Sequence, residues 1–313
     1  MEYTKTKNLR RGEMKKGLVA VILMIFVIGA IPALFGQDKR IYNDGEIDYV
    51  PLEATFVLTA EDEESSVKEI LYSINGAGIE LYDDPITLSE EGRQLIVYWA
   101  MDMTDNVSSE KLYSVIVDAT PPDGFVSVNG PAFTDDKLYI TGQSRIVLWA
   151  EDELSGVDAV YVSLDDSSFS RYTEPVTIVK EGYHEASAYA VDNVGNTTDV
   201  FTVAGYVDST PPDVTIEVRD GFVEVGGENY TNRDNVYTVT ADDEISGVRE
   251  ILLSLDGSDY ALYSAPFRLQ IEGSHTISAK AVDRLGNESV PVDLQFNVDV
   301  TPPSTSMGVS LEE

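Results

Sequence analysis

Nine aspartates recur through this chain at a fixed interval. Asp62, Asp152 and Asp243 form one set, Asp102, Asp192 and Asp283 a second, and Asp118, Asp208 and Asp299 a third, with steps of 90 and then 91 residues in each. Carboxylates brought together repel unless something cancels their charge. A hard cation does so, and Ca²⁺, which takes roughly six to eight oxygen ligands, is the natural choice outside the cytoplasm. Glu151 and Glu153 flank Asp152, Asp242 and Glu244 flank Asp243, and Asn193, Asn196 and Asn287 add amide carbonyls. The candidate ligands are therefore Asp118, Asp152, Glu153, Asp192 and Asn193 at one place, and Asp208, Asp243, Glu244 and Asp283 at another. A second explanation stays open: Asp and Asn at loop positions accept backbone N–H bonds and cap turns, and Asp192-x-x-Gly195-Asn196 is a good turn by itself. The spacing is not that of an EF-hand loop.

These residues can meet only if strands carry them. Phe56/Ile146/Tyr237, Leu58/Leu148/Val239 and Ala60/Ala150/Ala241 are apolar at alternate positions, the period of a half-buried strand. A later strand repeats the pattern with Ile96/Ala186/Ile277, Tyr98/Ala188/Ala279 and Ala100/Ala190/Ala281. Parity turns the aspartates two residues beyond each last alanine inward at the strand ends. In a two-sheet sandwich these strands belong to facing sheets and run to the pole where the chain enters. The third set lies in the phrase Val-Asp-x-Thr-Pro-Pro, at Val117–Pro122, Val207–Pro212 and Val298–Pro303. Its prolines stiffen a linker, so Asp118 and Asp208 overhang the next pole. Asp299 points into a further copy and is expected to lack a site.

Between these strands lie Val67–Ile74, Val157–Leu164 and Val248–Leu255, ending in turns at Asn75-Gly76, Asp165-Asp166 and Asp256-Gly257. Next come Tyr82/Pro85, Tyr172/Pro175 and Tyr263/Pro266, where proline suits an edge or turn entry. No stretch after Gly36 has a helical period. A period of this length defines tandem modules.

The net charge of −34 repels nucleic acid and anionic lipid, favours cations and makes for a soluble surface. There is no cysteine, which removes disulfides and thiol chemistry. Lys5, Lys7, Arg10, Arg11, Lys15 and Lys16 crowd the start and precede the uncharged Gly17–Gly36. That segment reads as a hydrophobic helix, either a signal peptide or a membrane anchor with its basic side in the cytoplasm. Both place the chain from Gln37 onward outside the cytoplasm. Met14 is an alternative start.

The pattern Asp-x-x-Ser-Gly-Val, Ser-Leu-Asp-Gly, Gly-x-His, Ala-x-Asp-x-x-Gly-Asn and Val-Asp-x-Thr-Pro-Pro resembles the bacterial Ig-like repeats of exported and surface proteins. The third copy carries it best, at Asp243–Val248, Ser254–Gly257, Gly273–His275 and Ala281–Asn287. The resemblance implies an all-β chain, a tandem array of three Ig-like β-sandwich domains. Its expected divisions are a basic tail 1–16, the hydrophobic segment 17–36, and copies at 37–120, 121–210 and 211–301. Residues 302–313 would begin a truncated fourth copy, or end as a free or donated strand. The first copy departs from the pattern: Ser66 and Asp105 stand where the others have glycine, Gln94 replaces His184 and His275, and the first strand is incomplete.

The two histidines lie in different copies at equivalent strand entries, so they read as structural and not as a shared site. No Ser-His-Asp set or phosphate loop is present. Trp99, Trp149 and Tyr189 fall on outward strand positions, where aromatic rings stack on sugars, anchor a partner or pack across strands. Asn106, Asn196, Asn229 and Asn287 lie in Asn-x-Ser/Thr triplets, which turn chemistry accounts for at three of the four. The expectation is a non-enzymatic cell-envelope spacer or adhesin-type module, with a protein or glycan partner at the cell surface and Ca²⁺ at the joins. The alternative is the accessory, non-catalytic region of a larger secreted carbohydrate-active enzyme.

Overall fold

The computed structural model describes residues 39–309, and the backbone of residues 20–22. The hydrophobic segment 17–36 otherwise lies outside the described residues, as do the basic tail and Met14. Ala20–Ile22 is a short strand pairing antiparallel with residues 127–129. No helix among the described residues is long and apolar enough to cross a membrane.

The chain is all-β. It divides into two compact units, residues 1–129, 145–176 and 184–204 in one and 130–144, 177–183 and 205–313 in the other. The 90-residue period is a property of the sequence; compactness divides the chain elsewhere, within the second copy.

In the first unit a six-stranded sheet runs in the order Tyr42–Asn43, Asp48–Pro51, Lys111–Asp118, Gly92–Asp102, Val67–Ile74, Glu80–Leu81. Asp48–Pro51 and Lys111–Asp118 pair in parallel, so the last strand of this copy leaves beside its entering chain. The facing pair is Thr55–Phe56 with Ile86–Thr87. Val50, Ile86, Leu88, Ile96, Val115 and Val117 form the core between them. The same unit pairs Asp123–Asn129 with Arg145–Glu151, and Val157–Leu164 with residues 186–192.

The second unit repeats the six-stranded order as Val223–Val225, Glu228–Asn232, Val292–Asp299, Gly273–Asp283, Val248–Leu255, Ala261–Leu262. Asp213–Val218 with Tyr237–Asp242 faces it. Tyr237, Leu269, Ile277, Phe296 and Val298 fill the core. Leu138–Ile140, paired with Ala132–Thr134 and in parallel with residues 205–207, also belongs to this unit.

The branched strands fall on Val67–Ile74, Val157–Leu164 and Val248–Leu255, as their composition dictates. Each ends in a tight turn with both central residues at positive φ: Asn75 and Gly76 at 51° and 72°, Asp165 and Asp166 at 49° and 58°, Asp256 and Gly257 at 51° and 78°. Those angles match the twist of the flanking strands, and Asn, Asp and Gly adopt them at the least cost.

Candidate functional site

Two triads of carboxylates form. Asp118, Asp152 and Asp192 bring oxygens within 4.8 Å of one another, and Asp208, Asp243 and Asp283 do the same. Each triad joins an aspartate from a Val-Asp-x-Thr-Pro-Pro linker to aspartates at the ends of two strands of different sheets, Asp152 and Asp243 just beyond one strand and Asp192 and Asp283 last on the other. Asp118, Asp192, Asp208 and Asp283 expose 1% of their surface or less. Asp152 and Asp243 are half-buried.

Backbone N–H groups hold the carboxylates in place. Asp192 Oδ1 accepts from Val194, Gly195 and Asn196, at 2.9, 2.6 and 2.7 Å, while Asn196 Nδ2 donates to Oδ2. Asp283 is held likewise by Gly286, Asn287 and the Asn287 amide. Asp118 bridges, accepting from Thr120 N–H in its own linker and from Ser155 N–H in the next copy, at 3.2 and 3.0 Å. Asp208 does so with Thr210 and Ser246. Asn196 and Asn287 also donate to the carbonyls of Asp118 and Asp208.

The capping is incomplete. Asp152 accepts N–H bonds from Leu154 and Gly156 through Oδ1 only, and Asp243 accepts from Gly247 and Ser246 through Oδ1 only. Among the described residues no ion pair joins any of the six carboxylates. Lys39 donates to Asn196 Oδ1 beside the first triad. Burial pushes the Asp152 carboxyl above its ordinary range, and the Asp118 and Asp192 charges push it further. Asp192 is raised by burial and by Asp118, and Asp243 by burial and by Asp208 and Asp283. Among the described residues the buried Ser155 Oγ has no hydrogen-bond partner.

The donor set fits a hard cation: three carboxylates per triad, two of them buried, and, among the described residues, no donor on Oδ2 of Asp152 or Asp243. The structure does not bring Glu153 and Glu244 into the triads; both are exposed. Asn193 turns its amide to the carbonyls of Ser155 and Gly156, at 2.8 and 3.1 Å, and so clamps the loop. Asp299 is exposed, and lines a cavity of about 470 Å³ in the third copy with Asp220, Val223, Tyr230 and Asn235.

At the first copy the same positions behave differently. Asp62 accepts from the N–H groups of Glu64, Ser65 and Ser66, and Asp102 from those of Thr104 and Asn106. Both are held below the ordinary carboxylate range, Asp62 chiefly by Ser65 N–H and Asp102 chiefly by the Asn106 amide. Among the described residues no third carboxylate joins them.

Sequence reasoning missed one recurring element. Thr120, Thr210 and Thr301 donate their hydroxyls to Glu91, Glu181 and Glu272, fixing the linker just after its aspartate. The glutamates share the 90- and 91-residue steps, which was the available signal. The histidines are structural. Nδ1 of His184 and His275 lies 2.7 and 2.8 Å from Asp165 and Asp256 in the turn, and Gln94 makes the matching bond to Asn75. The aromatic residues pack across strands: Tyr189 is buried against Tyr161 and Phe169, and Trp149 stacks on Phe125 at 5.5 Å.

No protein-family model and no curated protein matches the chain. Among solved structures it is similar to fibronectin(III)-like modules of Clostridium thermocellum CbhA, at 16% identity over 58% of this chain and 100% of that one, with a TM-score of 0.31. A 1.5-MDa bacterial ice-binding adhesin matches at 13% over 76% and 88%, TM-score 0.35, and Drosophila N-cadherin EC1–3 at 11% over 80% and 96%, TM-score 0.22. At such scores the likeness argues nothing further, and the sandwich is established by its own strand pairing.

Proposed function

We propose that this chain is a non-enzymatic, extracytoplasmic Ig-like array of the bacterial exported type, a spacer whose joins are stiffened by Ca²⁺ at the two aspartate triads. The observation that carries this reading is the makeup of each triad. A linker aspartate is buried with two strand-end aspartates of the following copy, so a bound cation ties the linker to the copy it enters. The carboxyls of Asp152, Asp192 and Asp243, raised by burial and further by their neighbours' charges, support it, because a divalent cation offsets both the lost hydration and the repulsion. The spacer role is favoured over an aromatic ligand platform because Tyr189 is buried under Tyr161 and Phe169, and one face of the exposed Trp149 is stacked on Phe125. A protein or glycan partner at the cell surface would then be met elsewhere on the array.

The test is a calcium titration of the full chain followed by melting temperature and small-angle scattering. Millimolar Ca²⁺ should raise the melting temperature by several degrees and lengthen the scattering profile relative to EDTA. Unchanged melting and unchanged scattering would refute the stiffened spacer.

A further inference from the structure

The two triads share their carboxylates and differ in one hydroxyl. Ser65, Ser155 and Ser246 recur at the 90- and 91-residue steps, each three residues past a strand-end aspartate. In the first copy Ser65 Oγ donates to Asp62 at 3.2 Å, and in the third Ser246 Oγ donates to Asp243 at 3.3 Å. In the second copy Asp152 Oδ1 accepts the Leu154 and Gly156 N–H groups, and among the described residues Ser155 Oγ makes no hydrogen bond. Ser155 is 5% exposed, so bulk water does not replace the missing partner. Buried hydroxyls are nearly always bonded, so this one marks a place where a further partner is expected.

The backbone puts that oxygen at the first triad. Ser155 N–H donates to Asp118 Oδ2 at 3.0 Å, and the hydroxyl sits on the same residue. Asp118 and Asp192 are fully buried beside it, and among the described residues Asp152 Oδ2 accepts from no donor. A hydroxyl carries two acceptor lone pairs and rotates to use them. As a neutral hard oxygen it adds to the coordination of a cation without adding to the repulsion among three carboxylates. The Lys39 ammonium on Asn196 opposes a cation here, but Lys39 is exposed and solvent and salt screen its charge.

We propose that Ser155 Oγ is a further ligand of the ion at the first triad, which therefore holds Ca²⁺ more tightly than the second. The Ser246 hydroxyl is held on Asp243 Oδ1, so the second triad lacks a hydroxyl free to turn to an ion. This assignment rests on the cation reading given above and adds an order to it. As Ca²⁺ rises, the join that enters the second copy fills before the join that enters the third.

Calorimetric titration of CaCl₂ into full-length Ser155→Ala and Ser246→Ala tests the assignment. Ser155→Ala should weaken one of the two sites by about tenfold and leave the other unchanged, whereas Ser246→Ala should leave both within about twofold. In EDTA Ser155→Ala should melt no lower than the wild type, because it breaks no hydrogen bond, and this also reports that the variant folds. A thiol supplies the second measurement, since the chain has no cysteine of its own. Ser155→Cys should bind Cd²⁺ with the ultraviolet band of a metal–thiolate bond, because soft sulfur selects the softer ion. Ser65→Cys, where no third carboxylate gathers, should show no such band. Two wild-type sites left unaltered by Ser155→Ala, or no band from Ser155→Cys, would overturn the assignment and leave the cation reading standing. No Ca²⁺ bound by the wild type would overturn both.

Discussion

The first and second copies place aspartates at the same two strand ends and obtain opposite electrostatics. Among the described residues Asp62 and Asp102 are joined by no third carboxylate, are well supplied with donors and ionise more readily than an ordinary carboxyl. Asp152 and Asp192 are drawn out of water, are further crowded by Asp118 and resist ionisation. The difference comes first from burial, and the linker aspartate adds to it with a third charge and a bridge to the Ser155 N–H that closes the loop. A module repeated in sequence is therefore not repeated in chemistry, because part of each pole is contributed by the preceding join. The third copy supports this, since Asp208 does at Ser246 what Asp118 does at Ser155.

The largest break in the comparison should come from Asp192→Ala against Asp102→Ala. The first strands three backbone N–H groups and the Asn196 amide in a buried pole and should cost about 3 kcal/mol in denaturant unfolding. The second opens its N–H groups to water and should shift the midpoint visibly less.

pH sharpens the contrast next. Asp152, Asp192 and Asp243 have folded-state pKa values raised above their unfolded ones, so the folded state binds more protons between the two. Their contribution to stability is greatest at low pH and falls as pH rises through the raised values. In EDTA the melting temperature should therefore rise as pH is lowered from neutrality toward the ordinary carboxylate range near about 4. Asp62 and Asp102 act in the opposite sense, and their contribution disappears only below that range. Saturating Ca²⁺ should flatten or reverse the slope, since it binds the ionised triads.

A smaller effect concerns the loop backbone. Ser66 holds φ at 68° where Gly156 and Gly247 hold 77° and 79°. Ser66→Gly should stabilise the first copy by about 0.5 kcal/mol, and Gly156→Ser should destabilise the second by at least that much, read from chemical denaturation.

Much of this arrangement was legible in the sequence because it rests on parity and period. Alternation placed the branched strands, and adding two residues beyond Ala60, Ala150 and Ala241 placed the aspartates. Parity alone does not say what lies over an outward face, so ligand stacking and cross-strand packing both stayed open at Tyr189, and Tyr161 and Phe169 decide for packing. Glu153 and Glu244 looked like ligands by adjacency, yet each lies in the bend just past its aspartate and is exposed, outside the triad. Asn193 was equally near in sequence, and the loop carbonyls of Ser155 and Gly156 claim its amide. The Thr–Glu bonds escaped because they join residues 29 apart, beyond the reach of any local pattern.

The central claim is that the second and third poles are built for a cation by their linker aspartates. Calorimetric titration of CaCl₂ into the full chain and into the Asp152→Asn, Asp243→Asn double variant tests it most directly. Asparagine keeps the Oδ1 acceptor that caps each loop and removes one charge from each triad. The wild type should bind two more Ca²⁺ per chain than the double variant, one for each triad. Equal binding by the two proteins, or no heat from the wild type at millimolar Ca²⁺, would contradict it.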